Sequence, residues 1–159
     1  MRVVAEERLS IWIETNSRTD HVIVGVVNLS EKDIRVWREG FSAAYYMFSF
    51  VIETKSGPIS IRRTPIAFCV NRPAAITIPP HEIRYYSFDL RDGNWTWSKM
   101  LPADQGVKIK AVLKPEEYGA EELKVDLINA ESEFAMTLPC KVEQVKRRSA
   151  TVPKRKAAK

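Results

Sequence analysis

The chain has 159 residues, of which 45% are hydrophobic and 28% charged, enough for one packed domain and too few for two large ones. Two Cys and two His exclude a disulfide-stapled miniprotein, a Cys-rich zinc module and a His-rich metal centre. No run of about eighteen apolar residues is present, so no membrane span is expected. Residues 1 to 10 lack the apolar stretch of a signal peptide, which places the chain in the cytoplasm as written, or outside it if a leader has been removed.

The formal charge of +5 is unevenly spread. Residues 146 to 159, KRRSATVPKRKAAK, hold seven basic residues and no acid, leaving 18 basic against 20 acidic residues in 1 to 145. With Val152 as its largest aliphatic residue, the tail lacks the apolar surface to offset the entropy of ordering, and it is read as a disordered arm. The domain boundary is therefore placed at 145. Lys146, Arg147, Arg148, Lys154, Arg155 and Lys156 form two basic clusters suited to phosphate contacts, and they also resemble a bipartite nuclear-import signal. Any nucleic-acid binding is expected through this tail alone and without sequence preference, since it has no aromatic to stack on a base. The plainer alternative is a solvated terminus.

In chain order, period-2 alternation is the dominant signal. Leu9, Ile11 and Ile13 share one face, with Trp12 on the other. His21 to Leu29 is apolar on both faces, as a central strand would be. Tyr46, Phe48, Phe50 and Ile52 alternate, followed by Ile59 with Ile61, Ile76 with Ile78, and Tyr86, Phe88 and Leu90. Val107, Ile109, Ala111 and Leu113 come next, then Leu123, Val125 and Leu127, and finally Phe134, Met136, Leu138, Cys140 and Val142. That makes about nine short strands separated by turn chemistry such as Ser56-Gly57-Pro58 and Asp92-Gly93. Glu116 to Leu123 offers at most one helical turn, weakened by Gly119. Strand after strand without helices predicts an all-β fold, an antiparallel two-sheet immunoglobulin-like or fibronectin-type β-sandwich.

Val26-Val27-Asn28-Leu29-Ser30, then Ile34 to Trp37, a long aromatic strand, Ile78-Pro79-Pro80-His81-Glu82 and Tyr86 to Leu90 follow one another in an order that carries a resemblance. It resembles immunoglobulin-like modules and the bacterial intracellular proteinase inhibitor (BsuPI-type) domain over residues 20 to 92. In that family a strand leads to N-x-S, and an L-x-P-G-E turn precedes a later strand. This chain departs from the pattern with Pro80-His81 in place of Pro-Gly. The resemblance implies a sandwich, and an inhibitor-like function as one alternative; it transfers no functional residue.

Catalytic and metal signatures are missing. There is no G-x-S-x-G, H-E-x-x-H or Gly-rich phosphate loop, and neither His21 nor His81 sits in a recognised catalytic setting. Asp89 to Asn94 offers oxygen ligands but lacks the spacing of a calcium loop. No catalytic residue, metal site or cofactor is expected. Cys69 and Cys140 face opposite ways in their alternations and are spaced wrongly around Trp95 and Trp97 for the antibody-type bridge, so two free thiols are expected. Asn28-Leu29-Ser30 and Asn94-Trp95-Thr96 match the glycosylation sequon, and chance is the better explanation of both.

Trp95 and Trp97 share a face if extended, and Trp12 lies outward on the first strand. Exposed aromatics on a sandwich grip sugar rings or protein partners, whereas buried ones plug the core. The expectation is a non-enzymatic interaction module for a protein or carbohydrate partner, with Trp12, Trp95 and Trp97 as candidates. The alternative is a nucleic-acid-associated protein acting through its tail. The oligomeric state is left open.

Overall fold

The computed structural model describes residues 8–15, 21–39, 42–67, 74–101 and 107–137. The tail and its basic clusters, Cys69 and Cys140 all lie outside these residues. The described chain is all-β, apart from one helical turn, α1 (Ser42–Tyr45). Its strands are β1 (Leu9–Thr15), β2 (His21–Asn28), β3 (Ile34–Trp37), β4 (Phe48–Thr54), β5 (Gly57–Arg63) and β6 (Ala75–Ile78), then β7 (Ile83–Asp89), β8 (Trp95–Trp97), β9 (Val107–Leu113), β10 (Ala130–Glu131) and β11 (Ala135–Thr137).

All pairings are antiparallel. One sheet runs β1-β2-β7, a second runs β10-β9-β4-β5-β8 with β11 also on β9, and β3 pairs with β6 as a separate ribbon. Alternation selects one face of each strand for burial. Ile11, Ile13, Val22, Val24, Val26 and Tyr86 of the first sheet join Phe48, Phe50, Ile61, Ile109 and Leu113 of the second in a single core cluster. The two inner faces meet through aromatic edges, with Phe48 4.9 Å from Tyr86 and Phe50 5.5 Å from Phe88 between ring centroids. Beneath the ribbon, Trp37 is fully buried and its indole N–H donates to the Glu116 carbonyl at 3.0 Å.

Two expectations about elements change. Tyr46 does not extend β4, because Ser42–Tyr45 forms its helical turn just before it. Leu123 to Leu127 alternates in sequence but is not a strand. Val125 N–H reaches back to the Ala120 carbonyl and Lys124 N–H to Glu121, with Lys124 at φ 52°. This pair of hydrogen bonds and the left-handed residue close a helical turn, and they satisfy locally the Lys124 and Val125 N–H groups that a strand would need for pairing. The last expected strand, Phe134 to Val142, is described only as far as Thr137, where Ala135–Thr137 forms β11 on β9; 138 to 142 lie outside the described residues. Just before it, between β10 and β11, the Ser132 hydroxyl accepts the Ala111 N–H at 2.9 Å and donates to the Glu133 carbonyl. Conversely, Ile34 to Trp37 and Trp95 to Trp97, too short for alternation alone to mark, are strands.

The loop that joins β6 to β7 is tied to the end of β2 by one residue. Asn28 is fully buried; its amide donates to the carbonyls of Lys32 (2.7 Å) and Ile78 (2.9 Å), while Oδ1 accepts from the Ser30 N–H and hydroxyl. Its main chain bonds Glu82 and His81. Both amide protons are used, so the Asn28 sequon offers no free nitrogen in the folded protein. His81 holds φ 60°, a region where side chains cost about 1–2 kcal/mol. This is the position at which the resembled turn carries glycine.

Candidate binding face and end clefts

The outer face of the β1-β2-β7 sheet carries an unusual row. Trp12, Gly25 and Tyr85 are direct cross-strand neighbours. A side chain at Gly25 would collide with Cε2, Nε1 and Cζ2 of Trp12, so the indole lies over the glycine and only hydrogen leaves room for it. Tyr85, 56% exposed, meets Trp12 edge-on with ring centroids 5.8 Å apart and planes at 74°. Ile23 and Ile83 stand exposed on the same face at 39% and 42%, and Val27 lies directly opposite Ile83. The rim is polar: Glu14 is exposed, and His21 pairs with Asp89 at 3.8 Å. The result is an aromatic and aliphatic face on a rigid sheet, bounded by charges.

The other two tryptophans do not join it. Trp95 and Trp97 do share a face, as their spacing predicts, but that face points inward. Trp95 is 7% exposed and packs edge-on against Phe50 and Phe88. Trp97 is half-buried; its N–H donates to the Leu90 carbonyl at 3.3 Å. Together they line a cleft of about 640 Å³ at one end of the fold, with Leu90, Leu101 and the almost fully exposed Met100. Of the three candidate tryptophans, Trp12 presents a platform, Trp97 an edge in a cleft, and Trp95 a wall of the core.

Sequence reasoning did not find the residue stacked on Trp95, Arg63. Its guanidinium sits 3.9 Å over Trp95 and 4.9 Å over Tyr45, with Asp92 at 3.8 Å. Burial lowers its pKa, opposed by Tyr45 and Asp92, and the group stays charged. The alternation Ile59, Ile61, Arg63 was the available signal: an arginine continuing an inward face has to find aromatic or acidic company. Tyr85 was also missed, although it alternates out of phase with Tyr86 and Phe88.

Among the described residues no three or more His, Cys, Asp or Glu side chains gather closely enough to share a metal ion, and no helix is long and apolar enough to cross a membrane. His21 and His81 each face one surface carboxylate, Asp89 and Glu31. No protein-family model, curated protein or solved structure matches the chain.

Proposed function

We propose that the protein is a non-enzymatic binding module on an immunoglobulin-like sandwich, and that it takes a protein or carbohydrate partner on the Trp12–Tyr85 face. The strand order supports the sandwich. β2 lies between β1 and β7, and β4 between β5 and β9, as strand B lies between A and E and strand C between C′ and F in immunoglobulin domains. The single observation that carries the function is the indole of Trp12 laid over Gly25 beside an exposed Tyr85. Exposed aromatic side chains grouped on a preformed surface are the commonest anchors of recognition, because they offer large contact area at low entropic cost.

The test uses the full chain and a Trp12→Ala/Tyr85→Ala variant, screened side by side against immobilised glycans and an array of purified proteins. A ligand retained by the parent and lost by the variant supports the reading. A ligand held equally by both refutes the placement.

A second reading has one observation in its favour, the seven basic and zero acidic residues of 146 to 159. Under it, weak polyanion binding resides in the tail, and removing 146 to 159 abolishes retention on heparin.

A further inference from the structure

A second concave site lies on the other sheet, away from the aromatic face. At the end where α1 leads into β4, a cleft of about 690 Å³ opens beside Ser49 and Val112, which are paired across β4 and β9. Three cations line it: Arg62 and Arg63 at the end of β5, and Lys114 just past β9. Among the described residues, no carboxylate comes within ion-pairing distance of Arg62 or Lys114, although Glu116 and Glu117 line the same cleft. Other sheet lysines do find partners: Lys108 pairs with Glu53 and Lys110 with Glu131.

The walls are fixed. The Tyr45 hydroxyl donates to the Thr64 carbonyl at 3.1 Å, and the Tyr46 hydroxyl accepts the Ile66 N–H at 3.2 Å. Both tyrosines therefore pin the segment that follows Arg63. The Lys114 N–H donates to the Met47 carbonyl at 2.9 Å, which holds the opposite wall against the start of β4. Arg63 keeps its charge while stacked on Trp95 and adds positive potential from behind. Positive charge in a concave, preorganised site, with a hydroxyl at Ser49, is the chemistry that recognises an oxyanion. The volume exceeds a bare anion and falls in the range of small-molecule sites.

We propose that this cleft binds a phosphoryl dianion, carried by a small organic ester or by free phosphate, held between Arg62 and Lys114.

The experiment is amide chemical-shift titration of the full chain with inorganic phosphate and with phenyl phosphate, each at constant ionic strength against chloride. Saturable shifts at Ser49, Arg62 and Val112 are expected with both probes. Tighter binding of phenyl phosphate identifies the organic ester as the source; equal affinity identifies the free anion. Arg62→Gln and Lys114→Gln are both solvent-facing changes, and each is expected to weaken binding about tenfold, the usual worth of one charge-assisted contact. Lys108→Gln, outside the cleft, should leave affinity unchanged. Trp12→Ala/Tyr85→Ala should also leave it unchanged, which separates this site from the aromatic face. Shifts that never saturate, that match those of chloride, or that fall on residues 146 to 159 alone would overturn the proposal. So would equal weakening by Lys108→Gln, which would reduce the effect to bulk charge.

Discussion

Gly25→Ala is the most informative single change. Its new methyl group would occupy space now held by the Trp12 indole, on a face where the backbone around it is fully paired. The indole is the mobile partner, so it lifts off the sheet. If about 80 Å² of its surface loses contact, at roughly 25 cal/mol per Å² the loss is about 2 kcal/mol. Replacing glycine within a strand returns about 0.5–1 kcal/mol through the unfolded chain. The net expectation is a destabilisation of about 1–1.5 kcal/mol, or a Tm lower by roughly 2–6 °C for a domain of this size. Urea unfolding of four proteins measures it: parent, Gly25→Ala, Trp12→Ala and the double variant. In the Trp12→Ala background the collision is gone, so Gly25→Ala should be neutral or stabilising by about 0.5–1 kcal/mol. The coupling energy is then about 2 kcal/mol. Equal destabilisation in both backgrounds would refute the reasoning, because the glycine would then matter for the backbone and not for the indole.

Asn28→Ala removes four side-chain hydrogen bonds from a fully buried position and leaves the Ile78 carbonyl without this donor; a loss of about 3 kcal/mol or more in denaturant unfolding is expected. His81→Gly relieves the positive φ at the cost of one exposed contact with Glu31, and Tm should stay level or rise, by up to about 1 kcal/mol of stability. Among the described residues the buried Tyr86 hydroxyl has no hydrogen-bond partner, and burial drives its pKa upward, with Glu39 adding to the rise and Arg84 opposing it. The folded state holds this proton while the unfolded chain releases it above about pH 10, so stability present below that value is lost as pH rises further. Tyr86→Phe should be neutral or stabilising at pH 7 and should flatten the alkaline decline, read from Tm between pH 8 and 11.

The sheet strands were legible because each buries one face. Ile11 and Ile13, Phe50 and Ile52, and Val107 to Leu113 alternate in sequence as they alternate in the fold. Where local hydrogen bonds compete, alternation misleads: Leu123, Val125 and Leu127 have the spacing of a strand, but the turn closed at Lys124 takes up the Leu123 and Val125 N–H groups. Short strands are the converse case. Trp95 to Trp97 is held by three cross-strand partners in β5, which no local pattern announces. The site was only partly legible for a related reason. Outward placement of Trp12 follows from period 2, but the seat beneath it depends on which residue of β2 lies opposite, and register is a tertiary property. The same period put Trp95 and Trp97 together on one face without saying which side of the sheet that face would be.

The most direct measurement of the central claim is chemical-shift mapping of the full chain with whichever ligand the array identifies. Changes concentrated at the Trp12 indole N–H, Ile23, Gly25 and Tyr85 are predicted. Changes at Trp97 and Met100, or along 146 to 159, with the Trp12 signal unmoved would contradict it.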